Sequence, residues 1–295
     1  MFLDSVLPPV FLKSTKLDDD AAVAAEQSGN RFAAWIAERD DTYGLGGTAD
    51  KVRAALIAMI KDYDQQPRHF SDVSAAVDGH FVAQLLTIFS PVWPQNAQAL
   101  KELRTAVDGQ AAPPSVKQIL TSLPPAPPPI EGAPETGNRT MGMATICNDD
   151  PERPDFAAVW AAYQRRVSSN PLTGRAVEWY SGCAGWPADG HSIRLTRAGG
   201  QTVLSGHRYE IVTPYNWAIE TQKAVGGTLF TVEDDIHGSA TRAPDCGPKV
   251  LTFFNTGIIG SGCNGTLADS NPTTLSGTAP SASTTPDITF NPWRH

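Results

Sequence analysis

The chain has 295 residues and a formal net charge of −8, from 23 basic and 31 acidic side chains. With 41% hydrophobic and 18% charged residues it has a globular composition, long enough for one large domain or two smaller ones. The acidic balance excludes phosphate-backbone binding, so no nucleic-acid partner is expected. No run of 18 apolar residues occurs, so no membrane partner is expected either. The opening Met1-Phe2-Leu3-Asp4-Ser5-Val6-Leu7-Pro8-Pro9 lacks the basic start of a signal peptide.

Residues 16–123 read as helical. Asp18, Asp19 and Asp20 are expected to cap and charge-balance an Ala-rich helix whose apolar face runs through Phe32, Trp35 and Ile36. Thr48 is placed to cap the next helix, where Val52, Leu56, Met59, Ile60 and Tyr63 recur at helical spacing. Phe81, Leu85, Leu86 and Phe89 suggest a third helix, Pro94 to Val107 a fourth and Ser115 to Leu123 a short fifth. Such a cluster without alternating strands reads as a lid, or as a plain helical bundle. The proline-rich stretch 124–135 is a connector crossing its surface.

Met143 to Asp149 is a short apolar run ending in a polar turn, followed by a helix with Phe156, Val159, Trp160, Tyr163 and Val167 at core spacing. From residue 200 the pattern becomes strand, helix, strand, helix: Thr202 to Leu204, Pro214 to Val225, Thr228 to Val232 and Pro248 to Asn255. This alternation implies parallel strands with crossover helices, an α/β fold. The Ser/Thr/Pro-rich segment 266–295 reads as a disordered tail.

The chemistry concentrates in Tyr209 to Ala218 and in Ile236-His237-Gly238. Catalysis by an activated hydroxyl needs a base to take its proton and an acid to orient that base. Glu210 lies six residues beyond Leu204, and His237 lies five beyond Val232. Both therefore sit on post-strand loops at one edge of the sheet, where such groups collect. Acid followed by histidine is the order of those two members in α/β-hydrolases.

Gly206 to Ala218 resembles the G-x-x-D-P-V-T-P-Y-x-x-A segment of secreted tripeptidyl-aminopeptidase-like α/β-hydrolases, relatives of proline iminopeptidases. Ile146-Cys147-Asn148-Asp149 resembles that family's cap-exit cysteine motif, and Cys183-Ala184-Gly185-Trp186-Pro187 its C-x-x-W-P. His237-Gly238-Ser239-Ala240 resembles its G-H-G-S segment, and Phe32 to Gly46 its cap helix. The likeness covers roughly residues 1–265. It implies a partial α/β-hydrolase fold: a core strand in 1–12, a mainly helical cap over 13–190 and a C-terminal hydrolase segment over 191–265. It further implies Glu210 as acid and His237 as base, a peptide or small-ester substrate, a secreted location and no cofactor or metal.

There are departures. Position 210 is Glu where that family has Asp, Ile236 replaces the glycine before the histidine, and Gly206 and Glu210 are one residue further apart. No G-x-S-x-G nucleophile elbow occurs, nor a Gly-rich oxyanion loop. Because Met1 to Pro9 resembles the M-V-L-D-G-V strand that follows the nucleophile helix, the expectation is an N-terminally truncated hydrolase without turnover on its own. A non-catalytic remnant or binding module is the alternative. His69, His80 and His191 have no carboxylate or cysteine at ligand spacing and read as surface or packing residues. His207 lies on the wrong side of the acid.

Cys147, Cys183, Cys246 and Cys263 are even in number, lie in the second half and show no metal spacing. They read as disulfides in an oxidising compartment, or as buried free thiols. In the family layout Cys147 and Cys183 flank the return from cap to core, while Cys246 and Cys263 bracket the terminal helix. Of three possible connectivities, 147–183 and 246–263 is therefore expected. Asn138-Arg139-Thr140 and Asn264-Gly265-Thr266 are glycosylation sequons.

Overall fold

A computed structural model describes residues 1–9, 14–121, 139–177, 183–191, 195–197 and 199–268. The connector at 124–135 and all but the first three residues of the expected tail lie outside the described residues. In chain order the elements are β1 (Phe2–Asp4), α1 (Ser14–Ala37), α2 (Asp40–Tyr43), α3 (Ala49–Gln65), α4 (Gly79–Gln84), α5 (Trp93–Leu103) and α6 (Pro114–Thr121). Then follow α7 (Arg139–Asp149), α8 (Phe156–Ser169), β2 (Val203–His207), α9 (Tyr215–Val225), β3 (Thr228–Val232), α10 (Gly247–Thr256) and β4 (Gly262–Cys263).

The strands form one sheet in the order β1-β2-β3-β4, and every neighbouring pair is parallel. Helices α9 and α10 are the crossovers that parallel pairing demands. Every residue of β2 is buried, as expected of a parallel strand covered on both faces. On one face Val203, Phe230 and Val232 pack against Val250 and Phe253 of α10. On the other, α9 comes so close to β2 that a Cβ on Gly206 would stand 2.7 Å from that of Ala218. That approach is why the glycine is there.

The helical layer has its own core, with Phe32, Ile36, Leu56, Ile60, Leu86, Leu100 and Val116 fully enclosed. Within it the Tyr63 hydroxyl donates to the Leu103 carbonyl at 2.7 Å. Thr48 caps α3, accepting from the Lys51 amide at 3.3 Å. Helix α1 ties this layer to the sheet. Ala21, Ala22 and Ala25 pack on Val177, Ile211 and Val212, and Leu17 packs on Trp217. Glu26, also on α1, accepts from the Leu172 and Thr173 amides and the Thr173 hydroxyl, each at 3.1 Å.

Four sequence expectations need correction. Asp18, Asp19 and Asp20 do not cap α1, which begins at Ser14. They lie inside it and serve tertiary partners: Asp18 and Asp19 face Arg166, and Asp20 takes the Trp217 indole N–H at 2.8 Å. The run 143–149 belongs to helix α7 and not to a turn. The aromatic stripe of α8 is not core. Phe156 and Trp160 are 76% and 48% exposed, because the helix is anchored instead by Ala162 and by the buried Arg166, whose guanidinium faces Asp18 and Asp19. Finally, α4 stops at Gln84, short of Leu85, Leu86 and Phe89.

Cys147 is bonded to Cys183 and Cys246 to Cys263, the pairing the resemblance implies. The first joins α7 to the 183–187 turn, and the second joins the start of α10 to β4. Among the described residues no helix is long and apolar enough to cross a membrane. The outer edge of β1 carries no partner strand among the described residues. The exposed Phe254 of α10 has its ring 6.5 Å from that of Phe2 on β1, and Leu251, three residues earlier in α10, is also exposed.

Candidate active site

Strand β2 extends to His207, three residues beyond the sequence estimate, so Glu210 sits directly after its C-terminal end. The Arg208 and Tyr209 amides continue the ladder by donating to the Val232 and Asp234 carbonyls at 2.9 and 3.0 Å. His237 follows β3 on the neighbouring loop. The two expected residues meet, with the His237 Nδ1 hydrogen-bonded to the Glu210 Oε1.

Glu210 is 2% exposed and fully engaged. Its Oε1 also accepts from the Thr213 amide at 3.2 Å and the Thr213 hydroxyl at 2.7 Å. Its Oε2 accepts from the Ser5 hydroxyl at 3.0 Å. Charge-assisted bonds of this kind fix a carboxylate's orientation as well as its position. The His237 side chain is 28% exposed, so the ring spans from the buried acid to the surface.

Ser5 is a residue the sequence reading passed over. It has φ of 56°, the sole positive φ at a non-glycine among the described residues. The left-handed conformation costs an L-residue of order 1 kcal/mol. Its hydroxyl offsets this by bridging two loops, donating to Glu210 and accepting from the Gly238 amide at 2.9 Å. It makes no hydrogen bond to the imidazole, so it braces the acid and is not in the position of a nucleophile. The signal was present, since the resembling M-V-L-D-G-V segment has glycine at this position.

His207, set aside in the sequence, is the centre of a second network. Fully buried, it holds Asp234 through Nδ1 at 2.5 Å and Asp4 through Nε2 at 2.9 Å. Burial pushes its pKa down, but the hydrogen bonds to Asp234 and Asp4 and the charge of Glu210 outweigh it and set the pKa at about 10. It is therefore an imidazolium between two carboxylates. Asp4 is raised by burial and lowered more by His207, Ser205 and the Ala240 amide, and ends below the usual carboxylate range. Asp234 also accepts from the Ser239 hydroxyl at 2.7 Å and the Thr266 amide at 3.2 Å. The Thr266 contact requires Gly265, whose Cβ would stand 2.2 Å from the Asp234 Oδ2. This network thus clamps the ends of β1, β2 and β3 to the loop carrying His237.

The remaining described histidines stay apart. His69 is exposed beside Asp108, His80 contacts the Arg175 carbonyl at 3.1 Å, and the His191 amide donates to Asn148. A cleft of about 710 Å³ lies between α1 and residues 208–216 and reaches Glu210.

Parallel strands with crossover helices, an acid after β2 and a histidine after β3, and a helical layer above them make this a partial α/β-hydrolase fold. Residues 170–263, which hold β2 to β4 and both site loops, match the family model described as TAP-like protein, and this supports membership of an α/β-hydrolase family. No curated protein matches the chain.

Proposed function

We propose that Glu210 and His237 are the acid and base of a serine hydrolase resembling secreted aminopeptidases that release short peptides from N-termini. The hydrogen bond from the buried, braced Glu210 to His237 Nδ1 carries this reading. That bond leaves Nε2 as the nitrogen that takes the proton from a serine hydroxyl as it attacks the substrate carbonyl. The proton then passes to the leaving amine, and in the second half-reaction Nε2 activates water against the acyl-enzyme. Glu210 stabilises the imidazolium in both halves.

The serine and the oxyanion donors come from sequence outside this chain. The open edge of β1 supports this: a further parallel strand there ends on the same side of the sheet as Glu210 and His237. The exposed Phe254, whose ring lies 6.5 Å from that of Phe2 on β1, suits the same docking. Two disulfides fit a secreted, oxidising setting.

The test begins with the reading frame upstream of the Met1 codon. A strand, a G-x-S-x-G turn and a helix encoded there are fused to this chain. The fusion is expected to react with a fluorophosphonate probe and to cleave a tripeptide p-nitroanilide. H237A should lower cleavage about 10⁴-fold or more. Specific labelling of the chain alone, or fusion activity indifferent to H237A, overturns the assignment.

A further inference from the structure

Two residues lining the cleft beneath α1 carry polar atoms without a partner among the described residues. Ser28 is 3% exposed and its hydroxyl has no hydrogen-bond partner among them, nor does the buried Nη1 of Arg31. They are three residues apart on α1, hence on one helix face, and both line the cleft. Native proteins leave few buried polar atoms unsatisfied, so two such atoms on residues lining one cleft call for a partner there.

The Arg31 guanidinium makes no ion pair or hydrogen bond among the described residues and is held by aromatic faces instead. It lies 4.0 Å from the ring centre of Tyr209 and 5.4 Å from that of Trp93. The nearby Asp235 is committed elsewhere, accepting from the Ser90 amide at 2.9 Å and the Ser90 hydroxyl at 3.0 Å. The other charges lining the cleft are also engaged. Asp20 bonds Lys16 and Trp217, Arg208 pairs with Glu233, and Glu210 is saturated within the site.

We infer that this cleft binds the carboxylate of a short peptide, held by the Arg31 guanidinium with the Ser28 hydroxyl beside it. A planar guanidinium stacked on a ring matches a carboxylate's two oxygens. The acidic walls formed by Asp20 and Glu210 disfavour a doubly charged phosphate. Calling the bound peptide a substrate rests on the hydrolase reading; the binding itself does not.

Calorimetric titration of the full chain tests this with trialanine, trialanine amide and Ala-Glu-Ala amide. A peptide bearing a carboxylate is expected to bind at least tenfold more tightly than trialanine amide. Trialanine binding identifies a free C-terminus as the source, and Ala-Glu-Ala amide binding an acidic side chain. R31Q should abolish the preference, R31K should keep it at lower affinity, and S28A should weaken binding severalfold. The thermal melt of each variant is measured to confirm that it folds. Equal affinity for acid and amide, binding of none of the peptides, or an undiminished preference in R31Q overturns the proposal. The readout is binding without turnover, so a failed hydrolase assignment leaves this result standing and the reverse also holds.

Discussion

Replacing His207 by Gln removes the cation from between Asp4 and Asp234 and leaves a half-buried and a buried carboxylate facing one another. Raising an imidazole from 6.5 to about 10 corresponds to roughly 5 kcal/mol of preferential stabilisation of the charged form. Breaking a buried pair costs about 3–5 kcal/mol. The two routes agree on a loss of about 4 kcal/mol. The sign of the pH dependence follows from the raised pKa: the stabilisation is fully present below 6.5 and is lost as pH rises through about 10. Urea unfolding of parent and H207Q chains at several pH values between 6 and 10 measures the difference. It should be largest at pH 6 and shrink steadily toward pH 10. A difference independent of pH, or one below about 1 kcal/mol at pH 6, refutes the buried imidazolium.

Other perturbations test the surrounding structure. S5A retains the left-handed backbone but deletes both bonds of the hydroxyl, and should lower unfolding stability by about 1–3 kcal/mol; S5G should be milder, because glycine relieves the backbone. G206A drives a methyl into Ala218 and should cost about 1–3 kcal/mol in a urea melt. Replacing Cys246 and Cys263 by serine opens a loop with a sequence separation of 17, worth about 3 kcal/mol. Removing Cys147–Cys183, with its separation of 36, should cost closer to 4 kcal/mol, and differential scanning calorimetry ranks the pair. Asp235 sits at about 6, raised by burial against the opposing Ser90 amide and Arg31, so its ionisation disfavours folding above that pH. D235N should therefore flatten the stability profile between pH 4 and 6, as followed by thermal melts at closely spaced pH values.

The second half of the chain was more legible than the first. Strand β3 and helices α9 and α10 stand within a residue of their expected bounds, because alternation, glycine and proline punctuate that region densely. Glu210 and His237 were visible because each follows a strand. His207 was not, because its partners lie 203 and 27 residues away and periodicity carries no trace of such contacts. The α8 stripe misled for the opposite reason. Phe156 and Trp160 have core spacing, yet a helix packs only where a neighbour stands, and here the neighbour meets Ala162 and Arg166. The acidic triplet of α1 has the composition of a cap, but its tertiary partners Arg166 and Trp217 determined its role.

Strand β1 pairs at just three positions, too few for backbone bonding to define its alignment with β2. Its last side chain and that of the residue after it supply the missing information. Asp4 inserts among His207, Ser205 and the Ala240 amide, while the adjacent Ser5 reaches Glu210 and Gly238. Sliding the strand by one residue in one direction would set the Asp4 carboxylate against Glu210, and sliding it in the other would leave the imidazolium with the Ser5 hydroxyl. The chemistry of two neighbouring side chains therefore proofreads the strand, rejecting misaligned copies that hydrogen-bond geometry alone would accept.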